Sequence, residues 1–174
     1  MTRSLRHSGL PEGIGINRTP YTGSFSFSEI FVGFENIEAV RSIFRDATQR
    51  VLADLKVDLK ARPGYLHVDD ETGHVVVSHE YLKAGDEKYL YLDVIHELVH
   101  IRQFMEGKEL FDVRYSYLDR PTEIEAYRAA AEEAGKIGMQ ADEIIEYLRV
   151  EWVTEGEFQR LLVRLGIKPK SDTK

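Results

Sequence analysis

The stretch His96-Glu97-Leu98-Val99-His100 sits inside an otherwise apolar run, residues 92–104. Polar groups in such a run are costly unless something satisfies them. On a helix, side chains four residues apart lie one above the other on the same face, so both imidazoles reach one metal ion. Glu97 is rotated by about 100° from His96, so its carboxylate leans toward the ion's water without being a ligand itself. This is the physical content of the H-E-x-x-H pattern: two ligands, and a carboxylate that takes a proton from water. In a chain of this length with six histidines the pattern arises by chance about 0.02 times. The bland alternative, two histidines satisfied by backbone or carboxylates, leaves the glutamate between them unexplained.

A catalytic zinc site takes three protein ligands and keeps one position for water. The chain has no cysteine, which excludes thiolate ligands and disulfides. No histidine follows His100, so a carboxylate must complete the set, and the downstream candidates are Glu106, Glu109, Asp112, Asp119, Glu123 and Glu125. Pro121 opens a predicted helix that runs to Lys136. Its apolar face carries Tyr127, Ala130, Ala134 and Ile137, and one turn back from Tyr127 is Glu123. Glu125 shares a charged face with Arg128, Glu132 and Lys136, where it is expected to meet solvent or Arg128. Glu123 is therefore the predicted third ligand and Glu125 the alternative. The non-functional reading of Glu123 is a first-turn glutamate stabilised by the helix dipole.

The rest of the chain supplies a setting for these residues. Gly, Ser, Thr and Pro dominate residues 1–23, which read as an irregular arm, and "SFSFSEIF" alternates at period two like a strand. Residues 37–55 show helical spacing with Asn36 as N-cap. Two short apolar runs, 65–68 and 74–78, flank turn residues and predict a β-hairpin. The motif helix is predicted from an Asp86 N-cap to Gly107, with Leu92, Ile95, Val99 and Arg102 on one side. "ADEIIEYLRVEWV" and "TEGEFQRLLVRLGI" predict two more amphipathic helices.

These elements divide the chain into an arm (1–35), a core (36–138), a helical extension (139–168) and a disordered tail (169–174). With a net charge of -7 and no Lys/Arg run, the chain is a poor binder of phosphate backbones, so no nucleic-acid partner is expected. The opening residues lack an apolar h-region and no segment approaches a membrane span, which points to a cytoplasmic location and no membrane partner.

The motif, followed after a gap by a glutamate on a separate helix, resembles the gluzincin branch of the zincin metallopeptidases. The order of helix, small hairpin and H-E-x-x-H helix looks like the minimal zincin core. Within that branch "TEIEAY" is similar to the E-x-x-A-N pattern of the ImmA/IrrE-type peptidases, with Glu123 at the ligand position and Ala126 at the alanine. Tyr127 departs from the asparagine. The resemblance covers residues 37–137. It implies an α+β fold, mostly helical with a small mixed or antiparallel sheet and the motif on the central helix. It also implies a Zn2+ cofactor on His96, His100 and Glu123, with Glu97 as general base, and hydrolysis of a peptide or protein substrate.

A donor for the developing oxyanion would come from Tyr115, Tyr117, Arg114 or His79. The strand at 74–78 is expected to offer an edge for the substrate. Asp93 reads first as a helix-surface aspartate and second as a partner for an imidazole, and Arg102 and Gln103 are further second-layer candidates. The arm with His7 and Glu12, or the segment around Trp152, is long enough to block a cleft. Two competing functions remain open at this stage. One is a zincin-fold metal-binding or regulatory module without turnover; the other is a structural domain in which the motif is accidental.

Overall fold

The structure, a computed structural model, describes residues 9–168. His7 and the tail expected to be disordered lie outside the described residues. The fold is α+β and mostly helical, with a small mixed sheet, as the sequence predicts.

The arm is more ordered than its composition indicates. It contributes β1 (Gly15–Ile16), β2 (Gly23–Ser26), α1 (Phe27–Ile30) and β3 (Phe31–Val32). The period-two reading of "SFSFSEIF" fails after Ser26. There the Glu29 carboxylate accepts from the Ser26 backbone N–H at 2.7 Å and starts a helical turn. That turn places Phe27 and Ile30 in the core together with Phe31 and Phe34.

Residues 37–55 do not form one helix. They form α2 (Glu38–Phe44) and α3 (Thr48–Asp54), separated by a 3-10 turn. Ile37, not Asn36, precedes the first helix. The break lies at Arg45, whose backbone has φ 53 and ψ -130. Both halves still present apolar residues inward: Val40 and Phe44, then Val51 and Leu52.

The sheet follows: β4 (Lys56–Lys60), β5 (Leu66–Val68) and β6 (Val75–Ser78) join β2 in the order β2-β4-β6-β5. The predicted hairpin is β5 against β6, antiparallel, with His67 opposite Val76. β6 also pairs with β4 in parallel, so both of its sides are occupied. The edge strands are therefore β2 and β5, and β5 lies between β6 and the open edge, which corrects the expectation that residues 74–78 present a free edge. Val57, Leu59, Val75 and Val77 join the main core, while Val76, out of step with them, is buried outside it.

After α4 (His79–Ala84) comes α5 (Glu87–Met105), which carries the histidine pair. Asp86 caps it by accepting from Tyr89 N–H at 3.0 Å. Its C-terminal end closes through Lys108 N–H to Gln103 O at 2.9 Å and Gly107 at φ 73. Leu92, Ile95 and Val99 are buried as expected, but so are Tyr91, Val94 and Leu98, since α5 is enclosed on several sides. One neighbour is α6 (Pro121–Lys136), joined to it by a buried bond from Tyr91 OH to Glu133 Oε1 at 2.6 Å.

The extension forms α7 (Ala141–Leu148) and α8 (Glu155–Leu165). The first stops five residues short of its predicted end, and residues 149–153 run outside any helix before Thr154 caps the second. One buried cluster includes Leu10 and Phe27 from the arm as well as Phe158 and Leu161 from the extension. No helix among the described residues is long and apolar enough to cross a membrane.

Arg45 supplies a test of this chain trace. A side chain at positive φ is strained and glycine is not, so Arg45→Gly is expected to stabilise the protein by about 0.5–1 kcal/mol in urea unfolding. Destabilisation of the kind glycine causes inside an exposed helix would mean that 37–55 is continuous.

Candidate metal centre and cleft

The donor set forms where α5 meets α6. His96 and His100 stand on successive turns of α5, with their Nε2 atoms 3.0 Å apart. Pro121 starts α6 so that Glu123 falls in its first turn and points inward with Ala126 and Tyr127. Glu123 Oε2 lies 3.1 Å from His96 Nε2 and 3.3 Å from His100 Nε2. All three side chains are buried. A tetrahedral zinc with bonds of 2.0–2.1 Å spaces its donors roughly 3.3 Å apart, so the observed triangle fits such an ion.

The protonation pattern also fits. Gln103 Nε2 donates to Thr122 O at 3.1 Å and to Glu125 Oε2 at 2.6 Å, which fixes the orientation of the amide. Its Oε1 then faces His100 Nδ1 at 2.7 Å and can only accept. A proton of His100 is thereby held on Nδ1, so Nε2, which faces the centre of the triangle and shares its own proton with Glu123, is the nitrogen that a bound ion would claim. Burial opposes charge on all three groups. Burial alone would raise the Glu123 carboxyl, but hydrogen bonds from His100 and His96 hold it at about 2. Burial lowers His96. The Glu123 carboxylate, helped by the charge of Glu97, pulls His100 up against its own burial.

Glu125 is no ligand. It pairs with Arg102 and accepts from Gln103, so it holds the second layer in place. The expected contact with Arg128 does not form; Arg128 donates instead to Arg164 O.

Glu97 is buried, and its Oε2 has no partner among the described residues. Burial pushes its carboxyl up to about 8; His100 opposes this and the charges of Glu123 and Asp93 add to it. It borders two spaces. A recess of about 90 Å³ is lined by β5 together with His96, His100 and Glu123. A larger cleft of about 520 Å³ also borders His96 and Glu97.

The four expected oxyanion donors separate clearly. Tyr117 borders both spaces. Arg114 is exposed and held by Asp112 at 2.6 Å. Tyr115 is also exposed, and His79 stacks on Tyr21. The residue that sequence reasoning missed is Tyr127. Its ring packs on His96 with centroids 4.3 Å apart, and its hydroxyl lies 3.1 Å from that of Tyr117. Its place one turn after Glu123 on the same face was the available signal.

Asp93 is not a surface aspartate, and it makes no bond to His96. It lies on the lining of the cleft, where Tyr81 OH donates to Oδ2 at 2.6 Å and Tyr147 OH to Oδ1 at 2.9 Å. Burial raises its carboxyl to about 6 against the pull of both hydroxyls. The two candidate blocking segments also part company: Trp152 lines the cleft, and no described residue of the arm does.

No protein-family model matches the chain. No curated protein and no solved structure matches it.

Removing the amide that orients His100 tests the metal centre. Gln103→Leu is expected to weaken divalent-metal affinity by about 10–100-fold, measured by competition with a chelator. Unchanged affinity would remove Gln103 from the site.

Asp93 gives a pH signature. Its carboxyl is raised to about 6 from an ordinary 3.8, so between those values the folded chain binds more protons than the unfolded one. Stability from this group is thus fullest at low pH and falls as the pH rises through that window. Asp93→Asn is expected to be more stable than the parent by about 1–3 kcal/mol near pH 7, with the gain gone near pH 4. Thermal unfolding at both pH values reads it, and an equal effect at the two would refute it.

Proposed function

We propose that the chain is a zinc-dependent metalloendopeptidase related to the gluzincin branch of the zincins. The observation that carries this reading is the buried His96, His100 and Glu123 triangle beside Glu97, one carboxylate oxygen of which has no partner among the described residues. A structural cluster has no use for an unpaired glutamate next to two imidazoles and a second carboxylate, since each adds a desolvation cost.

Zinc held by the triangle supplies Lewis acidity and brings the pKa of a water toward neutrality. Glu97 takes the proton of the attacking water and hands it to the leaving amine nitrogen. Its Oε2, which has no partner among the described residues, is free to take that proton and give it up again. Tyr117 and Tyr127 stay protonated, since burial raises both hydroxyls well above their ordinary range. Their mutual bond uses one of the two O–H groups and leaves the other free to donate to a developing oxyanion. The β5 edge borders the recess next to Glu97, a suitable place for an extended peptide to add as a strand.

Elemental analysis is expected to find one zinc per chain, with cleavage of casein abolished by a chelator. Glu97→Gln is expected to lower cleavage by about 10²–10⁴-fold with zinc retained. A zinc-loaded parent chain that cleaves nothing would turn the assignment toward a silent metal-binding module.

A further inference from the structure

The larger cleft beside His96 has a chemistry that the hydrolytic reading does not use. Its walls are aromatic: Tyr65, Tyr81, Tyr89, Tyr147 and Trp152 line it together with Tyr117. Tyr65 and Tyr117 lie 5.9 and 6.1 Å from the Trp152 ring, so the aromatic surface is continuous across the mouth. Its charges are mainly acidic. Asp93 is half-buried in the lining, and Glu146 and Glu151 are exposed.

Asp93 has two hydroxyl donors but no cationic partner among the described residues. The single basic residue on this lining, Arg149, is engaged elsewhere. Its guanidinium lies 4.4 Å over the Phe158 ring and pairs with Glu155 at 2.9 Å. A half-buried carboxylate without a countercharge is costly, and two tyrosine hydroxyls offset only part of that cost. The chain holds it there against an aromatic wall, and aromatic faces attract cations. The two features select one kind of occupant: a long apolar stem, to lie along the rings, that ends in a positive charge.

We propose that this cleft is a specificity pocket for a cationic side chain, lysine or arginine, of a polypeptide that enters beside Glu97. The aliphatic stem packs between the tyrosines and Trp152, and the charged end reaches Asp93. Of the other charged groups on the lining, Glu97, Glu146 and Glu151 favour the same cation, and Arg149, the one that opposes it, is paired with Glu155. Assigning the cation to a cleaved substrate rests on the peptidase reading; the pocket's preference for a cation does not.

Trp152 is the only tryptophan of the chain, so its fluorescence reports this cleft alone. Titration with acetyl-lysine methylamide is expected to change that emission saturably, at about tenfold lower concentration than acetyl-norleucine methylamide, which has the same stem without the charge. Asp93→Asn is expected to remove that preference and leave the norleucine response in place. Equal or tighter binding of the norleucine compound by the parent chain would overturn the proposal without recourse to any variant. Retention of the preference in Asp93→Asn would overturn Asp93 as its source. Cleavage of casein run in parallel separates the two readings. Turnover without a lysine preference in fluorescence removes the pocket and keeps the hydrolase, and the preference without turnover does the reverse.

Discussion

Everything at the centre of this molecule depends on three donor atoms forced to within about 3 Å of one another in a buried place. Shared protons can draw two imidazole nitrogens and a carboxylate oxygen together, but burial makes every charge among them costly. A divalent cation would take the place of those protons and bind all three donors at once. The surrounding fold is then best understood as the means of holding the triangle. The Asp86 cap and the Gly107 closure fix the length of α5, Pro121 fixes where α6 begins, and the bond from Tyr91 to Glu133 clamps one helix to the other.

A second layer makes the triangle directional. A histidine with a free proton position is an ambiguous ligand, since either nitrogen can carry the hydrogen. Here the ambiguity is resolved by a chain of three hydrogen bonds that runs through Gln103 to His100. Arg102 holds Glu125, Glu125 and the Thr122 carbonyl hold the Gln103 nitrogen, and the remaining Gln103 oxygen dictates the tautomer of His100. Glu125 thus matters because it is not a ligand. Its charge is matched by Arg102 on the side away from the cleft, so it does not compete with Glu123 for the ion.

The site was legible in the sequence to the extent that it is helical. The four-residue spacing of His96 and His100, and the one-turn step from Tyr127 back to Glu123, are read directly from helix geometry. The hairpin was legible from its turn residues. What escaped was decided by tertiary packing or by a weaker signal overruled by a stronger one. Ser26 and Glu29 spell a capping box, yet the alternating phenylalanines around them looked like a strand. No proline or glycine marks the break at Arg45. Asp93 sits on a helix face that resembles a surface until α4 and α7 bring Tyr81 and Tyr147 to it. Which strand is the edge of the sheet depends on β4 pairing with β6, a contact between distant segments that periodicity does not report.

The distribution of unpaired charge separates the two sides of α5. On the α6 side each acid has its partner: Glu125 has Arg102 and Gln103, and Glu133 has Tyr91. On the cleft side Glu97 has an oxygen with no partner, and Asp93 has hydroxyls but no cation. An acid without a counterion is a stability loss that a merely structural helix would shed, because replacing either group by an amide or an apolar residue removes the cost. That both losses face the same open space, and neither faces the packed side, is the pattern left when a protein gives up stability in favour of something that enters from outside. The two acids then divide the work by position. Glu97, against the donor triangle, meets the bond that reacts, and Asp93, one turn earlier and walled by tyrosines, meets the part of the ligand that is only held.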